Sequence, residues 1–113
     1  MRKIHAIKKY DVTYGDTYNY NPCIVSMLLK DCEMLECMTY GDPDMDDDGL
    51  YEFDREGFKE AVNWAAQQDE QYFEKFRNYV FGGMGTAKSQ VLYIMKGLLS
   101  AGSEEDPVRL EVW

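Results

Sequence analysis

The apolar stripe that begins at Phe58 constrains this chain more than any other feature. Phe58, Val62, Ala65, Asp69, Tyr72, Phe76 and Tyr79 follow one another at steps of 4, 3, 4, 3, 4 and 3, a series that only an α-helix brings onto one face. With Ala61, Phe73 and Val80 added, the spacing predicts an amphipathic helix over about residues 55–80. At 1.5 Å per residue such a helix is roughly 39 Å long. Gln67-Gln68-Asp69 is the one place where it would divide in two.

The flanking segments add strands. From Lys3 to Tyr14 an alternation puts Ile4, Ala6, Tyr10, Val12 and Tyr14 on one face, with Lys8 the intruder, and predicts one long strand or two short ones. Gly15-Asp16 is a turn signal, and Asn21-Pro22 offers an N-cap followed by a first-turn proline. Ile24, Met27, Leu28, Cys32 and Leu35 then have helical spacing, although the first half of Cys23–Leu35 also reads as a buried strand. Short strands are expected at Glu36–Tyr40 and Leu50–Phe53, on either side of an acidic loop. Gly82-Gly83 ends the long helix, and a second runs from about Thr86 to Ser100, burying Val91, Leu92, Met95, Leu98 and Leu99. Pro107 leads into an alternating strand at Val108, Leu110 and Val112. The expected fold is α+β: a small antiparallel sheet of N-terminal and C-terminal strands plus short central strands, packed by two or three helices. At 113 residues this is a single domain over 1–113.

Charge separates this chain from most function classes. It carries 21 Asp and Glu against 12 Lys and Arg, a net charge of −9, which argues against direct nucleic-acid binding. Between Asp31 and Glu56 there are eleven carboxylates and one cation, Arg55, whereas the other 87 residues hold eleven cations and ten carboxylates. The whole excess belongs to one segment. Its densest part, Asp42-Pro-Asp-Met-Asp-Asp-Asp-Gly49, repels itself, so it must lie in water, bind a cation or meet a basic partner. The longest apolar runs, Cys23–Leu29 and Val91–Met95, fall far short of the roughly 20 residues of a membrane span. Residues 1–10 are charged but lack an apolar h-region, so no secretory signal is read there. Three cysteines, Cys23, Cys32 and Cys37, are then expected as reduced thiols of a cytoplasmic protein. With His5 as the only histidine, they do not complete a zinc pattern, and no cofactor is expected.

Two motifs suggest other chemistry. Asp44, Asp46 and Asp48 stand at positions 1, 3 and 5 of an EF-hand-like calcium loop, with Gly49 at position 6. Position 12, which should supply a bidentate Glu, is Arg55, and Gly41 and Pro43 would break a preceding helix. Gly82-Gly-Met-Gly-Thr-Ala-Lys-Ser89 looks like a phosphate-binding P-loop. It has Ala87 where that motif has Gly, a helix rather than a strand precedes it, and only 24 residues follow. An anion at that helix N-terminus is the weaker form of the reading. Nucleophilic catalysis would have to pass through His5, on the Lys3-His5-Ile7-Lys9-Asp11 face of its strand, and the chain is not expected to be an enzyme.

Glu56, Glu60, Asn63, Gln67, Glu70 and Glu74 also step by 4, 3, 4, 3 and 4, opposite the apolar stripe. Within each Glu pair the rise is about 6 Å, on the scale of phosphate spacing along one nucleic-acid strand. Together with the aspartate loop and its neighbours, the expected partner-binding set is Asp42, Asp44, Asp46, Asp47, Asp48, Tyr51, Glu52, Asp54, Glu56, Glu60, Glu70 and Glu74. In size and composition the chain resembles the small acidic inhibitors of phages and mobile elements, such as anti-restriction and anti-CRISPR proteins. That resemblance implies a nucleic-acid mimic acting on a basic, nucleic-acid-binding protein in the host cytoplasm. The alternatives are a calcium-binding module using Asp44–Gly49 and a phosphate- or nucleotide-binding protein using Gly82–Ser89. The 4–3 stripe would also permit pairing with a second copy, though its aromatic content fits a core packed on a sheet.

Overall fold

The sheet is assembled around the last strand of the chain. The computed structural model describes residues 4–6, 17–18, 23–80, 85–101 and 104–112. Within them, β1 (Ile4–Ala6), β2 (Thr17–Tyr18), β3 (Met38–Tyr40), β4 (Gly49–Phe53) and β5 (Val108–Val112) form one sheet in the order β2-β1-β5-β4-β3. All four pairings are antiparallel. The α+β class with N-terminal, C-terminal and short central strands is therefore the observed one. β5 pairs with both β1 and β4 at the centre of the sheet, and its alternation turns one face to the core: Val108, Leu110 and Val112 are buried, while Arg109 and Glu111 are half-buried on the other face. Of the strand expected over Lys3–Tyr14, Ile4–Ala6 is observed; residues 7–16, Asn21-Pro22 and Gly82-Gly83 lie outside the described residues. The two-residue β2 was not anticipated.

Cys23–Asp31 is a helix, α1, because Ile24, Val25, Leu28 and Leu29 are buried together at steps that only a helix aligns. Helix α2 (Arg55–Ala66) starts at Asp54, whose side chain accepts the Gly57 N–H at 3.0 Å. Its first turn presses on the short 3₁₀ turn Leu35–Cys37: a Cβ on Gly57 would lie 2.5 Å from that of Cys37, so no larger residue fits there.

One continuous helix over 55–80 does not form. The chain leaves α2 at Gln67 and restarts at Asp69, which accepts the Tyr72 N–H at 3.1 Å and caps the short α3 (Glu70–Phe73). A 3₁₀ segment, Glu74–Tyr79, follows. The reason lies in the stripe itself. A straight helix would carry the Asp69 carboxylate into the core between Ala65 and Tyr72, at a desolvation cost the break avoids. Asp69 is exposed instead, and Lys88 donates to the Gln68 carbonyl at 2.6 Å across the gap. Beyond it, Phe73, Phe76 and Tyr79 recur every third residue, which suits the three-residue turn of a 3₁₀ helix. Phe73 and Phe76 are buried, with Tyr72 edge-on to Trp64 at 5.1 Å.

Helix α4 (Ala87–Ser100) buries Ala87, Val91, Ile94, Met95 and Leu98, whereas Leu92 and Leu99 are only half-buried. The helices share one core with the inner sheet face, where Ile4, Tyr51, Phe53, Val108, Leu110 and Val112 meet Phe58, Met95 and Leu98. No helix among the described residues is long and apolar enough to cross a membrane.

Burial gives this core a pH dependence. The Cys37 thiol is pushed up to about 11 from an ordinary 9.0, first by desolvation and then by the charge of Asp54. The folded chain therefore keeps a proton that the unfolded chain gives up near pH 9, so stability is full below that pH and falls as pH rises from about 9 to 11. Tyr72, raised by burial and its hydrogen bond to Asp31, adds a loss in the same direction at higher pH. Denaturant midpoints at pH 7.5 and 9.5 are expected to differ less in Cys37→Ala than in the parent. An equal drop in both would remove Cys37 as the cause.

Candidate protein interface

The acidic loop is a fastened structure. Gly41–Asp48 joins β3 to β4 and holds five aspartates around Met45, which is 0% exposed and adopts a positive φ of 54°. An apolar residue in the middle of an acidic run is thus the loop's anchor in the core. Around it the Met45 N–H donates to the Asp42 carbonyl at 2.9 Å, and the Ser26 hydroxyl of α1 to the Asp44 carbonyl at 3.4 Å. The Tyr51 hydroxyl donates to the Asp47 carbonyl from below. Gly41 has a φ of 112°, and a Cβ there would lie 2.3 Å from the Tyr51 ring, so only glycine lets the backbone cross that ring. Lys30 Nζ meets Asp44 Oδ1 at 2.5 Å. The Lys30 ammonium is held above the ordinary lysine range by that hydrogen bond and by the charges of Asp44, Asp46 and Asp42.

Beside the loop lies exposed apolar surface. Tyr40, at the end of β3, is 62% exposed, and Leu50, near the start of β4, is 49% exposed. With Tyr51, Glu52 and Arg109 they border a notch of about 100 Å³. Glu52 stands opposite both Tyr40 and Arg109 in the sheet register and accepts from Arg109 Nε at 2.7 Å. The β3 pairing is irregular between Met38 and Tyr40, a bulge that sits at the sheet's edge.

The predicted partner-binding residues divide into groups. Asp44, Asp46, Asp47 and Asp48 are exposed on the loop, and the half-buried Asp42 turns Oδ1 toward the Asp44 N–H at 3.3 Å. Tyr51 is only 3% exposed, so it is a support for the loop rather than a contact residue, and Phe53 is fully buried. Glu52 is half-buried in its ion pair. Asp54 and Glu56 lie at the other end of β4, roughly 13–17 Å along the strand from the loop. The line Glu56, Glu60, Glu70, Glu74 is cut by the break at Gln67–Asp69, although all four are exposed. Glu74 is paired with Arg77 at 2.9 Å, and Glu56 shares a cavity of about 560 Å³ with Arg55, Lys59 and Lys96. The anionic surface is thus concentrated at the loop and mixed in sign along α2. Asp31, at the end of α1, is likewise engaged by Lys75 and by the Tyr72 hydroxyl.

Arg55, the position-12 residue of the calcium pattern, has a different task. Its guanidinium donates to the carbonyls of Asp106 (2.6 Å), Ala101 (3.0 Å) and Leu99, tying the start of α2 to the end of α4. Gly49, at position 6, opens β4 opposite Val112. Among the described residues no group of three or more His, Cys, Asp or Glu is placed to hold a metal ion. Of the glycine-rich segment, residues 82–84 lie outside the described residues. Thr86 caps α4 by accepting the Ser89 N–H at 3.1 Å, the Ser89 hydroxyl returns to the Thr86 carbonyl at 2.8 Å, and Lys88 is turned to Gln68. Cys23, Cys32 and Cys37 form no disulfide among the described residues. Comparison with protein-family models, curated proteins and solved structures finds no match for this chain.

Proposed function

We propose that this chain is a small, non-enzymatic interaction protein of the cytoplasm whose acidic loop docks on a basic, nucleic-acid-binding protein and occupies the place of the nucleic acid. The observation that carries the reading is Met45: a fully buried anchor in a positive-φ conformation holding five like charges together. Crowded carboxylates destabilise the folded chain by mutual repulsion, and local conflicts of this kind concentrate at functional positions. Exposed Tyr40 and Leu50 beside the charges supply apolar contacts that charge alone lacks. The carboxylates would take the place of phosphates against lysine and arginine, making association fast and salt-sensitive. Because the helix glutamates are divided, the mimicry rests on the compact loop patch rather than on a long phosphate-like ladder.

The test is capture from lysate followed by competition with DNA for each captured protein at low and high salt. The expected partners are basic and are displaced by DNA. Exchanging Asp46, Asp47 and Asp48 together for Asn is expected to weaken binding about tenfold or more at low salt, roughly 1.4 kcal/mol, with the unfolding midpoint retained. Capture that neither salt nor this triple exchange alters would overturn the proposal.

A further inference from the structure

We infer that Lys30 is the docking loop's own counter-ion, which holds Asp44 in the free chain and yields it to a lysine or arginine of the basic partner. This inference rests on the interface reading above and adds what occupies that surface before the partner arrives. Lys30 lies in the last turn of α1, and its Nζ meets Asp44 Oδ1 at 2.5 Å. The backbone before it is fixed, because Leu28 and Leu29 are fully buried. The two side chains are not: that of Lys30 is 46% and that of Asp44 61% exposed, so a second cation can reach the carboxylate from solvent. The Lys30 ammonium also feels the charges of Asp42 and Asp46. It therefore cancels part of the field by which the loop attracts a cation.

Such a contact has two opposite roles open to it. A clamp that orders the loop would strengthen docking, whereas a resident cation would compete with the partner's. The other fastenings decide between them. Met45 is fully buried, the Ser26 hydroxyl holds the Asp44 carbonyl, and the Tyr51 hydroxyl holds the Asp47 carbonyl. These fix the loop through its backbone and one apolar side chain, using none of its carboxylates, so its shape does not depend on Lys30. An exposed ion pair also adds little to stability and breaks readily, as a contact that is to be exchanged must.

The probe is hexalysine, titrated against the full chain at about 0.1 M salt, where charges more than about 10 Å apart are largely screened. Lys30→Gln is expected to bind it about threefold more tightly than the parent, the scale of an exposed ion pair, and Lys30→Arg to match the parent. In an Asp44→Asn background the gain from Lys30→Gln should shrink. Lys59→Gln removes the same charge beside Arg55, at the end of β4 away from the loop, and should leave the affinity unchanged. Lys30 and Lys59 are exposed, so these variants fold, and matching unfolding midpoints check this. An affinity unchanged or weakened by Lys30→Gln, raised equally by Lys59→Gln, or raised as much with Asp44→Asn, overturns the counter-ion. If it is overturned while exchange of Asp46, Asp47 and Asp48 for Asn still abolishes hexalysine binding, the interface reading stands alone. If hexalysine binds regardless of those aspartates, the interface reading falls with it.

Discussion

Met45→Ala is expected to lower the unfolding free energy by roughly 2–5 kcal/mol, the range for emptying a buried methionine site. That is a large part of the roughly 5–15 kcal/mol available to a domain of this size. The residue is fully buried and holds a positive φ, so alanine keeps that backbone conformation and forfeits the packing that offsets it. Met45→Leu, which conserves volume, should cost less than about 1.5 kcal/mol. Denaturant unfolding followed by fluorescence separates the two. Amide exchange over Gly41–Asp48 should rise in the alanine variant before the sheet is lost, because the loop is then held mainly by Tyr51, Ser26 and Lys30. A loss below about 1 kcal/mol, with loop protection unchanged, would mean that the loop is held by its hydrogen bonds rather than its anchor.

Arg55→Ala is expected to cost about 3 kcal/mol or more. Hydrogen bonds to a charged group contribute roughly 1.5–3 kcal/mol each, and three partners are lost together and not additively. Two of those partners, the carbonyls of Leu99 and Ala101, lie at or just beyond the C-terminal end of α4, where helix carbonyls lack intrahelical donors. A cation there also opposes the negative end of the helix dipole. Arg55→Lys should recover little, since one ammonium on a flexible stem cannot span three carbonyls. The check is a denaturation series on the parent and both variants. A lysine variant as stable as the parent would show that charge, not the fork of donors, is what the site uses.

Much of the architecture was legible because it depends on local periodicity. The alternation at Val108, Leu110 and Val112, the helical spacing in α2 and α4, and the short strands around the acidic loop were all read at nearly the observed positions. The long helix was misjudged at one residue. Asp69 fits the 4–3 step but not the solvent-free environment that the step leads to, and a carboxylate in a stripe is the signal that the stripe must break. Tyr51, expected among the partner-binding residues, is instead buried at 3% exposure. Its neighbours are acidic, but strand alternation turns it inward while Leu50 turns out.

The sequence by itself determined where the charge is concentrated, which segments are helix or strand, and the class of fold, since net charge and side-chain period belong to consecutive residues. Only the tertiary structure decided that β5 takes the centre of the sheet, that Met45 and Tyr51 fasten the aspartate loop, and that Arg55 joins α2 to the end of α4. Each of these joins residues far apart in the chain or depends on which way a side chain faces. Burial and hydrogen bonding across such distances are set by how whole elements pack, and no local pattern carries that information.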